Sequence, residues 1–334
     1  MSELKNYLLG DYRETIDYVD KVSRYGLTKF APLIISCAIT GGVHGKESNP
    51  NLPETIEEQV QQSYDVYNAG ASLIHIHVRD KNNLAVNTPK TEDYLEVNSL
   101  VREKCPEVII NNTCLGGRML KPDGSASPQL LVSIGAKPEV ASVDIASFSS
   151  TLKLAARKPP LSGRDNDETW DVSYLMTMGD AARTVELMNE NGVKPELEMY
   201  DITNIKYISN LINKGLLKGP HWVQMIFNGT GIYPSVENML SVTRLLPKDS
   251  LFSVIGIGAA QTAMITLAIA LGHHVRVGLE DNVFYGPHQL ATSNAQMVER
   301  VVRIAKELGR PIATPAQSRE MLGLGAPRQY TYNK

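Results

Sequence analysis

In 334 residues, 33 lysines and arginines nearly balance 36 aspartates and glutamates, which excludes the basic footprint of a nucleic-acid or anionic-membrane binder. No window approaches the roughly 18 unbroken apolar residues of a membrane span, and the N-terminus lacks a basic stretch followed by an apolar one. Three widely spaced cysteines, Cys37, Cys105 and Cys114, with no C-x-x-C pair, argue against a disulfide framework or a thiolate zinc site, so a cytoplasmic, reducing location is expected.

Residues 1–30 precede the first regular pattern and are expected to form an N-terminal extension that caps the fold or contacts another subunit. From Leu33 onward, short apolar runs alternate with segments of helical periodicity. The predicted strands are Leu33–Ala38, Ser72–Val78, Val108–Asn112, Val140–Ile145, Glu196–Tyr200, Trp222–Phe227, Phe252–Ile257 and Val275–Leu279. Helices are predicted at Thr55–Ala69, Glu92–Glu103, Gly179–Asn191, Ile205–Lys214, Val236–Leu246, Ala260–Leu271 and Asn294–Leu308, with a shorter one after strand three at Pro128–Ile134. Eight such repeats predict an α/β fold, a (β/α)8 TIM barrel forming one catalytic domain over residues 31–334. After strand four a long loop, Ser147–Tyr174, interrupts the alternation and is expected to serve as a lid, an interface arm or a surface excursion.

Barrel enzymes carry their chemistry at the carboxyl ends of the strands. Strand two ends in His75-Ile76-His77, two imidazoles at i and i+2 and hence on one face. A hydrogen-bonded pair of core histidines is the plain alternative to a metal site. Strand eight ends in Arg276-Val-Gly-Leu-Glu280-Asp281, and closing the barrel sets strands eight and two on either side of strand one. Glu280 then completes His75, His77 and Glu280 as a catalytic divalent site, zinc first by ligand type. Other strand ends are polar too: Asn111-Asn112-Thr113 on strand three, Asp144 on strand four and Glu198 on strand five. His44, in the loop Thr40-Gly-Gly-Val-His-Gly45, is a further ligand or base candidate or a surface histidine. Gly256 and Gly258 precede a helix and are candidates to hold a phosphate or carboxylate, or simply form a turn. His221, His273 and His274 precede their strands and are assigned to the far end.

Several stretches resemble the β-keto acid cleavage enzyme family: Ile39-Thr-Gly41, Asn51-Leu-Pro53, Ala69 through Arg79, Val275 through Asn282, Ser293-Asn-Ala-Gln296, and Ala313-Thr-Pro315 through Leu322. The resemblance implies a zinc-bearing barrel, usually a homotetramer, that condenses a β-keto acid with acetyl-CoA to give acetoacetate and a new acyl-CoA. It implies zinc on His75, His77 and Glu280, and a catalytic acid–base pair at Asp281 and Arg276. Asn112 or Thr113 is then expected to stabilise an oxyanion, and Glu198 to act as a supporting acid or base. The family's 5-amino-3-keto acid enzymes carry a glutamate two residues past Ile-Thr-Gly, where this chain has Val43, so a substrate without the ammonium is expected. Two rivals remain at this level: a metal-dependent hydrolase of the amidohydrolase type, which also uses His-x-His, and a non-catalytic metal- or metabolite-binding barrel.

Overall fold

The computed structural model describes residues 30–127 and 131–332. The expected N-terminal extension therefore lies, but for Phe30, outside the described residues, as does the Pro128–Leu130 start of the helix predicted after strand three.

In chain order the elements are β1 (Ile35–Ala38), α1 (Ile56–Ala69), β2 (Leu73–Ile76), β3 (Arg79–Asp80), β4 (Asn83–Asn87), α2 (Thr91–Lys104), β5 (Ile109–Asn112), β6 (Arg118–Leu120) and α3 (Val132–Gly135). There follow β7 (Val140–Asp144), β8 (Phe148–Leu154), β9 (Glu168–Leu175), α4 (Met178–Glu190), β10 (Lys194–Met199), α5 (Ile205–Asn213), β11 (His221–Phe227) and α6 (Val236–Leu245). The chain ends through β12 (Ser250–Gly256), α7 (Gln261–Ala270), β13 (His274–Val277), β14 (Phe284–Gly286), β15 (Gln289–Leu290), α8 (Asn294–Glu307) and α9 (Pro315–Leu322).

Strands β1, β13, β12, β11, β10, β7, β5 and β2 close in that order into a parallel barrel, the (β/α)8 fold expected. Helix ends follow local chemistry. Thr55 caps α1 in a box with Glu58, and Gly70 ends that helix in the left-handed region. Thr314 caps α9 in the same way with Gln317, ahead of Pro315.

Because the strands are covered on both sides, alternate residues serve two different interiors. Ile35, Cys37, Ile74, Ile76, Ile110, Val143, Val223, Val254 and Val275 pack with the helices in the main core. Ile34, Leu73, Ile109, Val140 and Trp222 form a separate apolar layer inside the barrel, joined by Ala313 and Leu322. That layer shuts the amino-terminal end, and α9 is its lid: Ser318 Oγ donates to Ser72 Oγ, and Arg319 donates to the Val108 carbonyl. Above the apolar layer the same faces turn polar, with Ser36, His75, Asn111, Glu196, Gln224, Ser253 and Arg276 all buried. The barrel is thus dry at one end and polar at the other, so the chemistry has only one end to occupy.

The segment after β7 is an antiparallel hairpin, β8 on β9, extended by β6 into a three-stranded sheet. The alternation of exposed and covered residues along Phe148–Leu154 is the period-two pattern of a half-buried strand. Beyond the hairpin strands, the buried Arg157 grips Glu54 through Nη1 and Nη2, both at 2.8 Å, and reaches Glu47 at 2.6 Å. Arg164 meets the other oxygen of Glu47 at 2.7 Å. The insertion expected as a loop is therefore tied to the segment following β1, across the polar mouth of the barrel.

Candidate active site

His75 and its neighbours sit where the barrel order dictates. In β2, His75 is in register with Ala38 of β1 and Asn111 of β5. On the other side of β1, the Glu280 amide donates to the Ala38 carbonyl. Both imidazoles and the carboxylate converge over the end of β1. His77 Nε2 lies 3.4 Å and His75 Nε2 3.7 Å from Glu280 Oε1, and among the described residues this is the only group of three donors with metal-site spacing.

The donor set fits a metal ion. Ligand atoms about 2.1 Å from a tetrahedral ion lie about 3.4 Å apart, close to the two histidine–Glu280 separations. Glu280 Oε2 is buried without a hydrogen-bond partner, an expense that a cation removes. Burial, and then the charge of Arg276, push the His75 pKa well below its ordinary value, so the ring is neutral and ready to ligate. Burial alone would raise the Glu280 carboxyl, yet Arg276 and the two imidazoles hold it well below the usual range. The supporting contacts are also in place: Asn87 Nδ2 is 3.4 Å from His77 Nδ1, and Gln59 Nε2 donates to the His77 carbonyl.

The glycines after β1 are explained by closeness. A Cβ on Gly41, whose φ is +72°, would stand 2.7 Å from Glu280 Cγ, and one on Gly42 would stand 3.1 Å from His77 Nδ1. His44, two residues on, lies with Nε2 3.3 Å from the Leu279 carbonyl while its own carbonyl accepts from Arg79. It braces the loop and is not among the metal-site donors.

Behind the candidate metal site lies a carboxylate–guanidinium network. Arg276 donates from Nε and Nη2 to the two oxygens of Asp281, at 3.1 and 3.0 Å. It also reaches Glu280 at 2.5 Å and Glu198 at 2.9 Å. Burial pushes Asp281 up to about 6 against the pull of Arg276. Burial likewise raises Glu198 well above its usual value and raises Asp144 beside it. The two buried acids are in hydrogen-bond contact, and Tyr200 donates its hydroxyl proton to Asp144 at 3.2 Å.

Two sequence expectations need correction here. Asn112 does not face the barrel: its carboxamide exchanges hydrogen bonds with Asn98 of α2 in both directions, at 2.8 and 3.1 Å. Its neighbour Asn111 points inward and donates to Glu196 at 2.7 Å. In a strand buried on both faces, two adjacent asparagines after two isoleucines carry no period-two signal, so the choice between them was invisible. Thr113 shares the parity of Asn111. The second correction concerns Gly256 and Gly258. The Gly258 amide is already engaged by the Asp281 carbonyl at 2.8 Å, and Gly256 is packed against the backbone of Ala260 and Gln261, so the turn positions Asp281 and offers no free anion cradle from Gly258.

From the sequence Glu196 is one of the polar residues of its strand with no assigned role, and Gln224 carries no signal. Glu196 is fully buried and accepts from Asn111, Trp222 Nε1 and Gln224, and forms the floor of the polar layer. The signal available was its even spacing from Glu198 on one strand.

The sequence profile described as beta-keto acid cleavage enzyme matches residues 32–324. The chain belongs to the beta-keto acid cleavage enzyme family. The family's 3-keto-5-aminohexanoate cleavage enzyme from Acetoanaerobium sticklandii is 35% identical over 294 residues, 87% of this chain and 98% of that protein. Family relatives with other names include 3-oxoadipate:acetyl-CoA acetyltransferase from Cupriavidus necator, 32% identical over 88% of this chain and 95% of its own. Another is 3,5-dioxohexanoate:acetyl-CoA acetone transferase from Paraburkholderia graminis, 30% identical over 87% and 96%. Among solved structures, the apo structure of ObcA superposes with a TM-score of 0.59 at 21% identity, over 83% of this chain and 66% of that one, a likeness of fold. Family membership makes the chain an enzyme, an acyltransferase. It removes the hydrolase and non-catalytic readings, and the ends of β10 and β11 at this mouth present Glu198 and Phe227 rather than histidines.

Among the described residues no helix is long and apolar enough to cross a membrane.

Proposed function

We propose that this chain is a zinc-dependent β-keto acid cleavage enzyme that condenses a β-keto acid with acetyl-CoA, giving acetoacetate and a new acyl-CoA. The observation that carries the reading is the juxtaposition of His75, His77 and Glu280, with one Glu280 oxygen unpartnered, against the Arg276–Asp281 pair. Zinc, which His75, His77 and Glu280 would hold, would supply a Lewis acid for the keto and carboxylate oxygens of the substrate.

Asp281 takes the proton from the carbon between the keto and carboxylate groups, and Arg276 fixes its orientation and balances its charge. The resulting carbanion attacks the acetyl thioester carbon and expels CoA as a thiolate. That thiolate then adds to the original keto carbon, the carbon–carbon bond breaks, and the acyl group leaves on CoA. Asp281 returns its proton to the released acetoacetate carbanion, so the enzyme ends as it began. Thr113 is the proposed donor to the tetrahedral oxyanion, and Glu198, in hydrogen-bond contact with Asp144, the supporting acid.

For the substrate, the acids nearest Val43 are already spent. Glu47 and Glu54 are paired with Arg157 and Arg164, so the loop after β1 offers no free carboxylate to an ammonium. We therefore assign a β-keto acid lacking the 5-amino group. The reading carries with it a homotetramer, as the resemblance implies, with residues 31–334 as its catalytic domain. It also carries a cytoplasmic location, with which three free, buried cysteines are consistent.

The test is acetoacetate formation from acetyl-CoA and a panel of β-keto acids that includes the 5-amino compound, on metal-loaded and chelated enzyme. Turnover restored by zinc and strongest without the amino group is expected. Absence of CoA-dependent turnover across the panel sinks the reading, and highest activity on the 5-amino compound sinks the substrate assignment. His75→Ala is expected to lose the bound metal.

A further inference from the structure

A cavity of about 610 Å³ opens at the opposite end of the barrel from the chemistry, where β10 and β11 begin. Its walls come from the first residues of those two strands, the segments after α4 and α5, and the chain following α9. The volume falls in the range of small-molecule sites, about 300–1,000 Å³.

The charge around it is one-sided. Lys194, Lys218, Arg319, Arg328 and His221 line it against a single acid, Glu139. Glu139 has nothing left to give, because Arg102 and Arg319 each hold one of its oxygens at 2.7 Å. The guanidinium of Arg328 donates only to the carbonyls of Lys137, Pro138 and Gly192. Lys194 Nζ donates to one carbonyl, that of Pro220, at 2.7 Å, which leaves further donors unused. Among the described residues, neither Lys194, Lys218 nor Arg328 meets a carboxylate.

Such an arrangement is costly for a protein to keep without a counter-ion. Burial pushes Lys194 down to about 8, the signature of an ammonium short of compensation. Beside it His221 is 7% exposed, and its Nδ1 is buried without a hydrogen-bond partner. Leu216, Leu217 and Leu324 also line it, together with Asn189 and several glycines. Basic groups and leucines in one cavity suit an amphipathic anion.

We propose that this cavity is a second ligand site, separate from the active site, for a small organic anion whose phosphate or carboxylate is held by Lys194 and Lys218 while its carbon part rests on the leucines. The inference stands on this cavity alone and does not depend on the reaction at the other mouth.

Isothermal titration of the full chain with inorganic phosphate, AMP and glutarate tests it. At least one of the three is expected to bind saturably, one per chain. Binding of phosphate and AMP identifies a phosphate-bearing ligand, and binding of glutarate alone identifies a carboxylate. Lys194→Ala and Lys218→Ala are each expected to weaken binding roughly tenfold or more, the scale for truncating one partner of a charge pair. Lys218 is exposed, so its variant separates loss of the site from loss of the fold. The His75→Ala variant is expected to bind as tightly as the wild type. The proposal is overturned if none of the three probes binds at about 10 mM, a concentration at which even a millimolar site is filled. It is equally overturned if the lysine variants bind like the wild type, or if His75→Ala abolishes the signal and so traces it to the active site.

Discussion

Arg276 faces Asp281 edge-on, with two hydrogen bonds of 3.1 and 3.0 Å, while the same guanidinium spans Glu280 and Glu198. One side chain thus joins the proposed metal ligand Glu280, the proposed base and the proposed supporting acid. That geometry needs the planar fork of arginine, which the point charge of lysine does not reproduce.

Replacing Asp281 by Asn should therefore leave the metal donors in place and remove the proton acceptor. A fall in kcat of about 10²–10⁴-fold is expected, the usual contribution of a positioned base, with metal content unchanged. Steady-state kinetics alongside metal analysis check this. A variant with near-native kcat removes Asp281 from the role of base.

The contact between the insertion and the barrel mouth rests on Arg157, whose side chain is 2% exposed, and Glu54, which is 1% exposed. Arg157→Met leaves Glu54 buried without its cation and Glu47 held by Arg164 alone, and a loss of about 3–5 kcal/mol is expected. Adding Glu54→Gln to that variant should recover part of the loss, because it removes the stranded charge. Urea unfolding of the two variants and the wild type measures the difference. A cost below about 1 kcal/mol, the level of a surface pair, contradicts a buried latch.

Acid should destabilise the fold through two histidines at the far end of the barrel. Burial pushes His273 down to about 3, and burial together with Arg310 holds His274 well below its ordinary value. His274 Nδ1 accepts the Ile34 amide at 3.0 Å and so has no room for a proton there. Above about pH 6.5 both residues are neutral in the folded and unfolded chains, and they add no pH dependence. Below it the unfolded chain takes up protons that the folded one refuses, and stability falls by about 1.4 kcal/mol per pH unit for each histidine until its own lowered pKa is reached, which for His273 is about 3. His274→Asn keeps an acceptor for Ile34 and cannot be protonated, so its stability should decline less steeply between pH 7 and 5. Equal slopes for variant and wild type in urea titrations refute this account.

Much of the architecture was legible because each βα repeat advertises itself locally. An apolar run, a polar turn and an amphipathic helix with its cap are all fixed by near neighbours. His75 and His77 were legible for the same reason, since an i, i+2 pair shares a face in any strand. Glu280 followed from closure of the ring alone. The hairpin of β8 and β9 was harder to read, because its strands are polar and separated by a turn-rich stretch, and its anchor is an arginine pairing with acids about a hundred positions away.

By itself, then, the chain determined the order of elements, the polar end of the barrel and the residues at strand termini that reach it. Tertiary structure alone decided which of Asn111 and Asn112 enters the barrel, that the Gly258 amide serves Asp281, that α9 shuts the far end, and that Glu47 and Glu54 are neutralised by the insertion. The division has one physical cause. Periodicity and capping act over a few residues and leave a pattern in the sequence, whereas the facing of a doubly buried strand and the partner of a buried charge are set by distant segments that only folding brings together.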